Sequence, residues 1–301
     1  MTTLATTRRP PPQPPKYAPT KELRGSLSLL ELEFDRANAA VWMSLAPSAP
    51  KYVSGQLLTE FSAISASIAS GNYGTVRFKV LSSRIAGTFC LGGDLGLFLN
   101  LINSQDRLGL ADYAKTAIAE IWANMTGCGK DGLTTIALVG GEAQGGGVEA
   151  ALSCHLIVAE QGAHFGFPES LFGLCPGMGA VPLLAARTDS SVANRLTATA
   201  SRYAANFLRD IGVVDYVVPN GTGREFVRSL TVCSPSKLIR RRKAQLAGIP
   251  YTALQKSIDH WVSDALALSD KHKRAMVYLL NAQRHMQERE PVSRVRLMLD
   301  S

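Results

Sequence analysis

GEAQGGGVEAALSCHLIVAE, residues 141–160, follows directly on the strand-like LTTIALVG of residues 133–140. Its three consecutive glycines, Gly145 to Gly147, run against helix propensity because each costs backbone entropy. They make sense where a strand turns sharply into a helix and the main chain must approach something closely. Toward the N-terminus, residues 26–34 and AVWMSL (40–45) carry strand-like patterns separated by the turn-like DRAN. Much of 54–69 reads as helix, and GNYG then leads into a strand over 75–82. Toward the C-terminus, short strand-like pieces occur at 155–160 and 163–167. Helical patterns dominate from about residue 182, interrupted by the strand-like VVDYVV (213–218), and 250–288 carries a spaced apolar set. Strands alternating with helices predict an α/β fold.

Composition narrows the class. A chain of 301 residues, 46% of them hydrophobic, can bury a substantial core as one large domain or two moderate ones. No uninterrupted apolar run reaches the roughly 18 residues of a membrane span, so none is expected. The opening MTTLATTRRPPPQPPKYAP has basic residues with no apolar run behind them, which argues against a secretory signal and for a cytoplasmic protein. Residues 1–22 read as a flexible Pro-rich leader. Cys90, Cys128, Cys154, Cys175 and Cys233 form no CxxC pair and no cluster with His at ligand spacing. Reduced thiols and no metal site are expected. The net charge is +8, and between Arg224 and Lys243 seven Lys/Arg face only Glu225. The run KLIRRRK (237–243) suits CoA phosphates or an acidic carrier protein, and is equally well read as a solvated face. No aromatic–basic interleaving or zinc-finger spacing supports nucleic acid.

Two glycine-rich strand exits stand out, AGTFCLGGDLGLF (86–98) and GEAQGGGVEAALSC (141–154). Neither is a GxGxxG dinucleotide fingerprint or a phosphate-binding loop ending in GK[ST]. Glycine-lined loops can instead present N–H groups at a helix start, and two such amides aimed at one point stabilise a developing oxyanion. Glu149 lies in the apolar context VEAALSC, and a helix would put it on the same face as Gly146. Glu169 lies in FGFPESLFGLCPGMGA (165–180), also mostly apolar. A carboxyl among apolar groups has a raised pKa, which suits general acid–base work. Either one can also be a surface residue or a helix-capping anion. Asp94 reads as a helix cap or turn former. His155 and His164 have no partner acid or nucleophile at a telling spacing, and Ser153 is not in a GxSxG elbow.

Taken together, FCLGGDL (89–95), GEAQGGGVEAALSCHLIVAE, FGFPESLFGLCPGMGA and GVVDYVVP (212–219) resemble the crotonase, or enoyl-CoA hydratase/isomerase, superfamily over roughly residues 26–290. The resemblance implies a crotonase-like ββα superhelix core over 23–190. A mainly helical region over 191–301 would serve trimerisation and the acyl pocket. It puts an oxyanion hole on Gly93 and Gly146 and the catalytic pair on Glu149 and Glu169, with Glu169 as α-proton base and Glu149 as acid. Keeping both glutamates favours addition or removal of water over double-bond migration.

Within the superfamily, LGGDLGLF, the tail HWVSDALAL (260–268), DKHKRAM and LLNAQ are similar to the diffusible signal factor synthases. That likeness implies dehydration of a 3-hydroxyacyl thioester on acyl carrier protein, then thioester hydrolysis to a cis-2-unsaturated fatty-acid signal. The alternative is an ordinary enoyl-CoA hydratase that releases an intact CoA thioester. By likeness to the same tail, Trp261, Met276 and Leu279 are acyl-pocket candidates, with core packing an equal reading. Lys237, Arg240, Arg241, Arg242 and Lys243 are candidates for meeting the carrier or CoA. The resemblance calls for no metal, flavin or nicotinamide, only a substrate carried on phosphopantetheine. Expected partners are acyl carrier protein, further copies of the chain as a homotrimer or dimer of trimers, and a signalling regulator protein.

Overall fold

The computed structural model describes residues 27–288. The leader expected at 1–22 lies outside them. The chain opens with the antiparallel pair β1 (Leu30–Asp35) and β2 (Ala40–Leu45). β2, AVWMSL, is buried along its whole length, as a strand covered on both faces must be. Helix α1 (Gly55–Ala69) starts where the Ser54 hydroxyl accepts the Leu57 N–H.

Three strand–strand–helix turns follow. The first is β3 (Phe78–Ser83), β4 (Thr88–Cys90), α2 (Leu95–Asn103) and the long α3 (Arg107–Met125). The second is β5 (Thr134–Val139), β6 (Glu142–Gln144) and α4 (Gly146–Ser153). The third is β7 (Leu156–Glu160), β8 (His164–Gly166), a 3₁₀ turn over Pro168–Phe172, and α5 (Ala180–Arg187). Each turn gives its first strand to a six-stranded sheet and its second to a smaller one. Parallel pairings β3–β5–β7 and β4–β6–β8 therefore stack turn upon turn. This is the expected ββα superhelix, with glycine-rich exits at successive turns.

The remaining elements are α6 (Ser190–Ala198), β9 (Arg202–Ala204), α7 (Ala205–Asp210) and β10 (Tyr216–Val218), then helices α8 (Gly223–Cys233), α9 (Ser236–Ala247), α10 (Tyr251–Leu266) and α11 (Asp270–Glu288). β9 closes the small sheet antiparallel to β8. Three residues are too few to carry an alternating pattern, so the sequence reading had only helix around it. β10 extends the large sheet beside β7, where VVDYVV reads as strand.

Asp215, just before β10, is nearly solvent-free and meets both Arg187 and Arg242. Arg187 also donates to the Cys154 and Val213 carbonyls, so the ends of α4 and α5 and the middle of α9 are tied at one place. Burial pulls the Arg187 pKa down to about 10, while Asp215 opposes the shift. The three buried cysteines, Cys90, Cys128 and Cys154, are free, as are the exposed Cys175 and Cys233. Among the described residues no helix is long and apolar enough to cross a membrane.

Candidate active site

The two glycine loops meet at the bottom of one cleft. On the first, Gly92 sits at φ +92 and the Val53 N–H donates to its carbonyl at 2.8 Å. Val53 is itself fixed from behind, because the Tyr113 hydroxyl donates to its carbonyl at 2.7 Å. Asp94 then caps α2, its Oδ1 accepting the Leu97 N–H at 2.9 Å, as the sequence suggested. On the second loop, Gly145 takes φ +49, a backbone open to glycine, and Gly146 begins α4. First-turn amides have no acceptor inside their helix. Among the described residues neither the Gly93 nor the Gly146 N–H has a backbone acceptor. The loops approach so closely that a Cβ on Gly92 would stand 3.6 Å from the Gly146 nitrogen.

Above this floor stand the two carboxyls. Glu149 is 1% exposed and lies one helical turn beyond Gly146 on α4. Its Oε1 accepts the Met178 N–H at 2.7 Å and the Ala180 N–H at 3.0 Å. These amides open α5, so Glu149 caps that helix while facing the cleft. Glu169 comes from the 3₁₀ turn after β8, and its Oε2 is shut off from solvent with no hydrogen-bond partner among the described residues. Burial first, then the neighbouring Glu169 charge, raises the Glu149 pKa to about 8, against the pull of its two amides. Burial raises Glu169 to about 7. Two carboxyls poised near neutrality, one able to hold a proton while the other does not, can divide the acid and base roles.

The walls are apolar. About 820 Å³ of empty space is lined by both glycine loops, both glutamates, Phe98, Phe172, Leu174, Met178, Trp261 and Leu279. Trp261 from α10 packs edge-on against Phe98 (5.0 Å, 71°), and Phe98 against Tyr113 (4.9 Å, 84°), which locks α2, α3 and α10 together. From α11, Leu279, Ala282 and Gln283 face the cleft at spacings of three and four. The structure thus brings together Gly93, Gly146, Glu149, Glu169, Trp261 and Leu279.

Met276 does not join them. It is fully buried in the core and does not line the cleft. The basic run also divides. Arg242 turns inward with Ile239 and Leu246 on the buried stripe of α9 and pairs with Asp215 at 2.8 Å, so it cannot meet a carrier. Lys243 is half-buried and donates to the Asp131 carbonyl, whereas Lys237, Arg240 and Arg241 are exposed. His155 is buried with its Nδ1 beside Thr135, and burial lowers its pKa to about 3, so it serves as a core residue. His164 is a surface residue beside Glu142.

Tyr113, Met178 and Gln283 escaped the sequence reading. A tyrosine behind a glycine loop, or a helix residue facing a cleft from far along the chain, leaves no local signature. Among the described residues no group of three or more His, Cys, Asp or Glu is disposed to hold a metal.

Comparison with known proteins agrees with this architecture. The mevalonyl-coenzyme A hydratase SIDH of Beauveria bassiana is 31% identical over 172 residues, covering 53% of this chain and 59% of that protein. The chain spans about half to two thirds of the length of the curated relatives it matches. The crystal structure of enoyl-CoA hydratase from Bacillus halodurans superposes with a TM-score of 0.69 at 18% identity, covering 83% of this chain and all of that one. Pseudomonas aeruginosa DspI gives 0.60 at 21% identity, over 76% of this chain and 84% of its own. At such identities the two solved structures speak for the fold alone, and the narrower likeness to the signal factor synthases gains little from them. The sequence model of the enoyl-CoA hydratase/isomerase family matches residues 53–291, and the chain belongs to that family.

Proposed function

We propose that this chain adds water reversibly across the 2,3 double bond of an enoyl thioester, as an enoyl-CoA hydratase does. One observation carries the reading: two buried carboxyls, Glu149 and Glu169, face one cleft whose floor offers the Gly93 and Gly146 amides. The thioester oxygen accepts both N–H groups, which lowers the energy of the enolate-like transition state. In dehydration the Glu169 carboxylate takes the proton at C2, and protonated Glu149 hands its proton to the departing 3-hydroxyl. Hydration runs the same steps backward, with Glu149 taking a proton from water and Glu169 returning one to C2.

The relatives named as hydratases favour this plain hydro-lyase over the two-step dehydratase–thioesterase suggested by the HWV tail. In this reading residues 23–190 supply the machinery. Residues 191–301 supply the acyl wall and the contacts of a trimer or dimer of trimers. The exposed Lys237, Arg240 and Arg241 would meet the phosphates of CoA or an acidic carrier, chiefly speeding encounter.

The test is incubation with short 2-enoyl-CoA and matched carrier-bound thioesters, followed by mass spectrometry of the products. Intact 3-hydroxyacyl-CoA at equilibrium with enoyl-CoA is the expected result. Release of free 2-unsaturated acid, preferentially from the carrier-bound 3-hydroxyacyl substrate, would instead restore the signal-synthase reading.

A further inference from the structure

Two buried polar atoms of residues that line the cleft have no partner among the described residues: Glu169 Oε2 and Gln283 Oε1. The first is the base that faces C2 in the mechanism above. The second has no role in it. Gln283 cannot be turned end for end, because its Nε2 donates to the Leu91 carbonyl at 2.9 Å and a carbonyl accepts only from the nitrogen. Its oxygen is therefore oriented as an acceptor on a side chain that lines the cleft, and a buried acceptor without a donor is costly unless a ligand supplies one.

Glu149 has a matching shortage. Its Oε1 already accepts two amides, so one oxygen remains to meet the reacting hydroxyl. A 3-hydroxyl that receives a proton from Glu149 must direct its own O–H elsewhere. A water that gives one proton to Glu149 has a second O–H to direct.

We propose that Gln283 Oε1 accepts the O–H of the reacting oxygen, the 3-hydroxyl in dehydration and the water in hydration. The assignment rests on the hydro-lyase reading. In dehydration the C3–O bond breaks, its electron pair leaves with oxygen, and the proton from Glu149 completes a water whose other hydrogen is held by Gln283. A neutral amide does this without becoming a base itself, so the proton moves only between the oxygen and Glu149. The same side chain, through Leu91, braces the loop that carries the Gly93 amide.

The experiment measures binding of a matched pair, butyryl-CoA and 3-hydroxybutyryl-CoA, to the full chain and to Gln283→Met and Gln283→Glu. Wild type is expected to favour the hydroxylated ligand by roughly three- to tenfold, the worth of one neutral hydrogen bond. Gln283→Met should lose that preference, and loss of the Leu91 contact should weaken both ligands by the same factor, so the ratio of the two affinities is the readout. Gln283→Glu should keep it at acid pH, where a protonated carboxyl donates its O–H to the Leu91 carbonyl and leaves its other oxygen as the acceptor. A preference that survives in Gln283→Met, even with an equal loss of both ligands, would overturn the assignment and leave Gln283 as a brace for Leu91. Wild type that prefers the hydroxylated ligand yet never interconverts enoyl- and hydroxyacyl-CoA would sink the hydratase reading while supporting Gln283 as the hydroxyl's acceptor.

Discussion

The floor of the cleft and its lid are built on opposite principles. The floor is main chain: Gly92, Gly93, Gly145 and Gly146 at consecutive turns of the spiral, braced by Val53 and Tyr113. The lid is side chain: Trp261 from α10 and Leu279 and Gln283 from α11, elements more than 80 residues further along. Amides aimed by a stacked sheet depend on side chains only through the braces of Tyr113 and Gln283, whereas a lid of side chains can be reshaped one residue at a time. In the proposed reaction the chemistry therefore belongs to the floor with the two carboxyls beside it, and the choice of acyl chain to the lid.

Glu169→Gln strikes at the chemistry and should have the largest effect. It removes the proposed base beside the floor and leaves the amides in place. The turnover number for hydration should fall by about 10²–10⁴-fold with substrate affinity nearly intact, read from steady-state rates against equilibrium binding. Unchanged turnover in this variant and in Glu149→Gln would remove the carboxyl pair from the mechanism.

Gly145→Ala comes next. At φ +49 a Cβ is strained, and it would lie 2.2 Å from Glu169 Oε1, so the carboxyl must move. A displacement of about 1 Å in a reacting group costs on the order of 10²-fold in rate, to be read as kcat alongside a thermal melt that reports any loss of fold.

Leu279→Ala tests the lid. The amides and glutamates stay put while the apolar wall opens, so rates on short chains should hold. The kcat/KM ratio between longer and shorter enoyl-CoA should shift by about tenfold, since a methylene in an apolar pocket is worth about 1–3 kcal/mol. An equal fall for every chain length would mean that the lid also aims the chemistry.

The smallest expected effect is in stability against pH. Burial holds the Glu149 pKa near 8 in the folded chain, against 4.5 for a free carboxyl. The folded state thus binds this proton more tightly than the unfolded one. Its contribution is full below about pH 4.5 and is lost as pH rises through 8. Glu149→Gln lacks this loss, so its melting temperature relative to wild type should rise by a few degrees between pH 5 and pH 8.5. A difference that stays flat with pH would mean the carboxyl is not held protonated.

Most of the floor was legible because glycines leave a local mark. Three in a row cannot be ordinary helix, and Glu149 follows at a helical interval. The main strands were legible to within a few residues, as with the expected 75–82 against Phe78–Ser83. The small sheet was not, since its three-residue strands are defined by pairing across spiral turns rather than by their own pattern. The lid was legible only in part. Likeness to the synthase tail singled out Trp261, Leu279 and Met276 together, and the sequence could not show that the first two line the cleft and the third does not, because direction depends on how the helices pack. Arg242 is the converse: Ile239, Arg242 and Leu246 share a buried stripe, and that three-and-four spacing was in the sequence to be read. A stripe containing an arginine looks like surface until its partner, Asp215, is known.

One contact in the floor has a consequence for anyone who would redesign this protein. Gly141 packs against the main chain of Gly87, so closely that a Cβ there would fall 2.2 Å from the Gly87 carbonyl carbon. The strand exits of two spiral turns are in effect riveted together, backbone to backbone, just upstream of both glycine loops. A library over Leu279 can seek new acyl groups without touching this spacing, whereas Trp261 belongs to the ring stack that leads through Phe98 and Tyr113 to the floor. The rivet itself offers a library nothing, since its tolerance is a single residue type.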